Sequence, residues 1–120
     1  MRYMLLIYSK ETSSATPEEL QGIAGIHREV MNEAFEKGVF RAAEPLKPTS
    51  TATTVRMHNG KALTTDGPFA ETKEQLAGYY ILDCQDLDEA IDWAKKIPTA
   101  CCGGEGCIEV RPIHEIQQPS

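Results

Sequence analysis

Apolar positions recur along the chain with two different periods, and the switches between them mark out its elements. Residues 3–8 are apolar throughout, with Tyr3, Leu5 and Ile7 on one side of an extended chain and Met4, Leu6 and Tyr8 on the other. A strand wet on one face would alternate with polar residues, so this one expects cover on both. Ser9 to Thr16 is a polar connection. Thr16-Pro17-Glu18-Glu19 then has the marks of a helix start: a capping hydroxyl, a proline for the first helical position, and acids for the positive end of the dipole. Leu20, Ile23, Ala24, His27, Val30, Met31 and Ala34 follow at helical spacing. Glu18, Gly22, Gly25, Glu29, Asn32 and Glu36 fall opposite, and Gly38 ends the helix.

Val39 to Pro48, which contains Pro45, predicts a short edge strand running into a loop. Residues 51–57 are rich in β-branched side chains and predict a strand, Asn59-Gly60 predicts a type I′ turn, and residues 62–65 return antiparallel. A two-residue turn sets the register: Met57 opposite Ala62, Val55 opposite Thr64 and Thr53 opposite Asp66, with Arg56 on the other face. Asp66-Gly67-Pro68-Phe69 breaks that strand. Residues 78–83 form a second strand apolar on both faces. Asp86-Leu87-Asp88-Glu89 has capping-box character, and Leu87, Ala90, Ile91, Ala94 and Ile97 make the buried stripe of a second helix, with Trp93 at its margin and Pro98 as its stop. Residues 107–115 predict a last strand. No repeat, linker or low-complexity stretch divides the chain, so residues 1–120 are one domain.

The order β-α-β-hairpin-β-α-β predicts an α+β fold, a ferredoxin-like βαββαβ sandwich with an inserted hairpin and both helices on one face of the sheet. The opposite face is then bare. The doubly apolar strands predict a partner there, most simply a homodimer, because a self-complementary patch closes under two-fold symmetry.

Composition narrows the function classes. At 41% hydrophobic and 25% charged, the 120 residues suit one ordinary folded domain. A net charge of −6 without a Lys/Arg cluster argues against nucleic acid, and no apolar run approaches the roughly 20 residues of a membrane span. The opening apolar stretch is too short for a signal-peptide core, so the expected location is cytoplasmic, with Cys84, Cys101, Cys102 and Cys107 reduced. The C-C-x4-C spacing matches neither C-x-x-C nor the paired knuckles of a zinc ribbon, so no metal is expected. No P-loop, dinucleotide fingerprint, H-E-x-x-H or G-x-S-x-G occurs, and no cofactor is expected either.

Four stretches together carry a resemblance: residues 3–8, Thr51 to Arg56, Thr65-Asp66-Gly67-Pro68-Phe69-Ala70-Glu71-Thr72-Lys73-Glu74, and Ile108-Glu109-Val110-Arg111-Pro112. They resemble the YCII-related family, in its DGPF-containing branch, over nearly the whole chain. The resemblance implies a dimeric α/β-barrel fold. It implies less about activity: most such proteins have no established reaction, some are associated with extracytoplasmic-function sigma factors, and the broader superfamily includes a dehydrochlorinase. A His and an Asp are the proposed catalytic pair of that superfamily, which points to His27 and Asp66 here.

Each candidate has a chemical reading and a plainer one. An imidazole passes protons near neutral pH and an adjacent carboxylate fixes its tautomer, so His27 and Asp66 suit acid–base catalysis if helix and hairpin converge. His27 equally suits a packed residue within its apolar stripe, and Asp66 a turn residue bonding nearby backbone N–H groups. Phe69, Glu71 and Lys73 lie on a loop between a rigid turn and a buried strand, a setting that often carries binding residues. Arg56 and Arg111 have the guanidinium geometry to clamp a carboxylate, or else each pairs with a nearby glutamate. Two functions fit: a cofactor-independent lyase or isomerase acting on a small organic anion, or a non-catalytic ligand-binding or regulatory module, with a sigma factor as a partner.

Overall fold

The doubly apolar segment at the start of the chain lies at the centre of a sheet. The computed structural model describes residues 1–11, 15–99 and 105–119. Its elements are β1 (Arg2–Ser9), α1 (Pro17–Glu36), β2 (Phe40–Pro45), a 3-10 turn (Thr49–Thr51), β3 (Thr53–His58), β4 (Lys61–Asp66), β5 (Gln75–Asp83), α2 (Leu87–Ala94) and β6 (Gly106–Pro112). Four strands pair antiparallel in the order β2-β5-β1-β6. Each helix thus links two strands that have a third strand between them, the split crossover of a ferredoxin-like α+β fold.

The helix starts form as their sequences predict. Thr16 Oγ1 accepts from the Glu19 N–H at 3.1 Å while the Glu19 carboxylate accepts from the Thr16 N–H at 3.1 Å. Asp86 Oδ1 accepts from the Glu89 N–H at 2.9 Å. Gly38 turns the chain out of α1 with φ +76°, a left-handed conformation that favours glycine.

One face of the sheet makes the core. Tyr3, Leu5 and Ile7 of β1 and Tyr80 and Leu82 of β5 pack against Val30 and Ala34 of α1 and Ala90, Trp93 and Ile97 of the α2 region. This corrects the placement of Trp93. It is a core residue, 4% exposed, whereas Leu87 is 48% and Ile91 36% exposed. The helix turns its Ala90-Trp93-Ile97 side to the sheet, and the Lys96 ammonium lies 4.6 Å from the centre of the indole ring. The last strand also ends earlier than expected, at Pro112, which has no N–H for the ladder.

The hairpin has the expected register: Met57 faces Ala62, Val55 faces Thr64 and Thr53 faces Asp66. Asn59 (φ 50°) and Gly60 (φ 77°) make the turn, both in the left-handed region that type I′ requires. It does not join the four-stranded sheet but forms a two-stranded sheet of its own. Val55, Met57 and Leu63 are exposed on it. The arm accounts for a radius of gyration of 16.2 Å, against about 14 Å for a compact domain of this length. At its base the Gly67 N–H donates to the Ala52 carbonyl, and the Thr54 hydroxyl donates to the Gly67 carbonyl, both at 2.7 Å.

Among the described residues, no helix lies on the second face of the sheet. The register places Met4, Leu6 and Tyr8 of β1 beside Tyr79 and Ile81 of β5 there. These residues are half-buried. No helix among the described residues is long and apolar enough to cross a membrane.

Candidate functional site

Only the C-terminal half of α1 packs tightly. Val30 and Ala34 are buried, but Leu20, two turns earlier than His27, is 54% exposed. The sheet beneath that first half is paved with small residues, Ala43, Ala77 and Gly78. Gly78 lets β2 approach closely, since a Cβ there would stand 2.8 Å from the Glu44 carbonyl oxygen. A helix half that stands off, over a floor that includes these small residues, leaves a cavity of about 970 Å³ between α1 and the sheet. Leu20, Ile23, Ala24, His27 and Met31 line it from the helix, Ile7, Ala43 and Tyr80 from the strands, and Lys10, Glu11 and Leu46 to Pro48 from the connections. That volume is at the upper end of ordinary small-molecule sites.

His27, half-buried, lines this cavity beside the buried Tyr80. Its Nδ1 lies 2.7 Å from the Tyr80 hydroxyl oxygen, and the two rings stack at 5.8 Å between centroids. Burial holds the imidazole below its usual 6.5 and pushes the phenol up to about 12. Both are therefore neutral near pH 7. The phenol proton has two acceptors, Nδ1 at 2.7 Å and the His27 carbonyl oxygen at 3.5 Å. Donation to Nδ1 leaves Nε2 protonated and able to act as an acid. Donation to the carbonyl lets Nδ1–H donate to the phenol oxygen and leaves Nε2 as a base. Exchanging the two roles takes a hydroxyl rotation together with transfer of the imidazole proton between Nε2 and Nδ1.

The depressed His27 pKa has a consequence for stability. Below pH 6.5 the unfolded chain takes up a proton that the folded chain refuses until its own lower pKa is reached. Stability therefore falls as pH drops from about 7 through that window, and levels off beneath it. Urea midpoints measured at several pH values between 7 and 5 should decline less in His27→Phe than in the unsubstituted protein.

The other sequence candidates are distributed differently. Asp66, at the end of β4 opposite Thr53, is exposed and lines neither this cavity nor the next. Arg56 on β3, Arg111 on β6 and Phe69 are exposed and also line neither. Glu71 and Lys73 line a second, shallower cavity of about 520 Å³, together with Gly67 and Pro68. Lys73 also forms an ion pair with Glu105 at 3.3 Å. Lys10, Glu11 and Ser50 border both cavities, so the loop after Asp66 adjoins the mouth of the larger one.

Tyr80 is the site residue that sequence reasoning missed. Its signal was present: a tyrosine inside a strand buried on both faces needs a partner for its hydroxyl, and His27 is the polar break in the facing stripe. Among the cysteines, Cys84 is buried, its thiol pushed up to about 11 by burial, so it packs as an inert apolar group. Cys107 is exposed on β6, while Cys101 and Cys102 lie outside the described residues. No group of three His, Cys, Asp or Glu side chains among the described residues is placed to hold a metal ion.

Comparison with known proteins gives a family and an uncharacterised relative. An uncharacterised protein, R00369, of Rhizobium meliloti (strain 1021) is 40% identical over 115 residues, which cover 94% of this chain and 92% of that protein. The YCII-related domain profile matches residues 1–117, and the chain belongs to the YCII-related family.

Proposed function

We propose that the protein binds a small organic molecule in the cavity beneath α1, and that His27 and Tyr80 move a proton on it in a cofactor-independent reaction of lyase or isomerase type. The observation that carries this reading is the 2.7 Å contact between His27 Nδ1 and the Tyr80 hydroxyl within a largely apolar cavity. With Nδ1–H donating to the Tyr80 oxygen, Nε2 is a base that takes a proton from one carbon, and the imidazolium so formed returns it from Nε2 to another. Asp66-Gly67-Pro68-Phe69 supports a reading in the DGPF-containing branch, and the loop it begins adjoins the mouth of the cavity. The sequence-based pair of His27 with Asp66 becomes, in this proposal, His27 with Tyr80.

Proton transfer at carbon is measurable before the product is known. Small carbonyl compounds and acids that bind by ligand-observed NMR are incubated with the protein in D₂O, and deuterium uptake at carbon is followed. Binding is expected to vanish in Ala24→Trp, which fills the cavity. His27→Phe is expected to retain binding and lose exchange by roughly 100-fold or more. Ligands indifferent to Ala24→Trp would remove the cavity from the proposal, and full exchange in His27→Phe would remove the base.

The same reading includes a homodimer. A second copy covers the open face of the sheet, where Met4, Leu6, Tyr8, Tyr79 and Ile81 have no helix over them.

A further inference from the structure

The charges around the larger cavity are unequally engaged. Glu11 accepts from the Thr49 N–H and from the Thr49 hydroxyl, both at 2.8 Å. Glu44 accepts from the Tyr79 hydroxyl at 2.6 Å. Glu11 is thus already bonded, and the Glu44 carboxylate pairs with Tyr79 on the open face of the sheet, away from the cavity. Three cations border it too, Lys10, Arg28 and Lys47, and no hydrogen bond or ion pair among the described residues engages their side chains.

Topology puts two of these cations at one end. β1 and β2 run parallel, each antiparallel to β5 between them, so Lys10 and Lys47 follow the same edge of the sheet. The Glu11–Thr49 bonds tie the two connections together beside them. From that end the apolar surface of Leu20, Ile23 and Ala24 leads to His27. Leu20 and His27 are seven residues apart on α1, about 10 Å along its axis.

We infer that the ligand is an amphipathic monoacid: a carboxylate held by Lys10 and Lys47 at the mouth, and an apolar body about 10 Å long reaching toward His27 and Tyr80. This rests on the cavity reading above and adds the substrate class. Arg28, one residue beyond His27, supplies a further positive charge along the path. The local preference for an anion opposes the whole molecule, whose net charge of −6 repels anions and attracts cations. A general electrostatic attraction therefore cannot mimic the expected result.

Isothermal titration calorimetry with three probes of equal chain length tests it: sodium octanoate, octan-1-ol and octylamine. Octanoate is expected to bind at least tenfold more tightly than octanol, with octylamine weakest of the three, and to weaken as salt is raised. The exposed pair Lys10→Gln/Lys47→Gln should lose at least tenfold in octanoate affinity and leave octanol unchanged. Ala24→Trp should abolish binding of both. Equal affinities for octanoate and octanol that Ala24→Trp abolishes would overturn the acid preference and leave the cavity reading standing. Tightest binding by octylamine, or octanoate binding indifferent to Ala24→Trp, would overturn the inference, and binding by none of the probes would overturn it as well.

Discussion

Trp93→Ala should cost about 3–5 kcal/mol of folding stability, the largest loss from any single truncation in this chain. The indole is buried at 4% exposure against the sheet, in one core with Ala90 and Ile97 that holds eleven buried side chains among the described residues. A domain of this length has a total stability of about 5–15 kcal/mol, so the substitution removes about a fifth of it or more. Near the transition each kcal/mol moves the midpoint by about 4 °C, so the melting temperature should drop by roughly 12–20 °C. The controls are Leu87→Ala and Ile91→Ala on the same helix. Both side chains are largely outside the core and each should cost less than about 1 kcal/mol. If the three losses come out equal, or if Leu87→Ala is the costliest, α2 presents a different side to the sheet.

That contrast shows where the chain is readable and where it is not. On α2 two stripes satisfy helical spacing, Leu87-Ala90-Ile91-Ala94 and Ala90-Trp93-Ile97. An eight-residue helix is too short for periodicity to separate them. The sheet decides: it offers a hollow beside Leu5 and Leu82 that an indole fills, and that information lies in residues eighty positions away as well as nearby. The hairpin is the opposite case. Its register follows from Asn59 and Gly60 alone, because a two-residue turn permits one pairing, and all of the expected pairs are present. What the local pattern does not contain is the direction in which the hairpin leaves the sheet. Arg56 and Asp66 were therefore placed correctly along their strands, yet neither borders the cavity that contains His27. His27 was legible as the one ionisable residue in the stripe of α1. Its partner was not, because Tyr80 reads as one more apolar group in a strand buried on both sides. The cavity itself is a property of small residues on one element facing the loose half of another, and no single segment encodes it.

Leu6→Arg should convert the protein from a dimer to a folded monomer. The open face of the sheet has the anatomy of an interface: the central strands β1 and β5 present Met4, Leu6, Tyr8, Tyr79 and Ile81, while the outer strands place Glu44, Glu109 and Arg111 around them. An antiparallel sheet with one wet face alternates apolar and polar residues, and β1 and β5 do not. Leu6 sits between Tyr79 on one neighbouring strand and Glu109 on the other, at the middle of the patch. Under two-fold symmetry an arginine at this position enters the interface twice. With about 3 kcal/mol lost per buried, unpartnered charge, association weakens by roughly ten-thousandfold. The isolated subunit loses little, since the side chain lies on the face away from the helices and the guanidinium reaches solvent. Light scattering on the unsubstituted protein should thus give twice the chain mass of 13.3 kDa, and Leu6→Arg should give that mass once, with its circular dichroism retained. A monomer before substitution would mean that water is the partner of the open face, and a dimer that survives Leu6→Arg would move the interface elsewhere, to the exposed apolar arm of Val55, Met57 and Leu63 in the first instance.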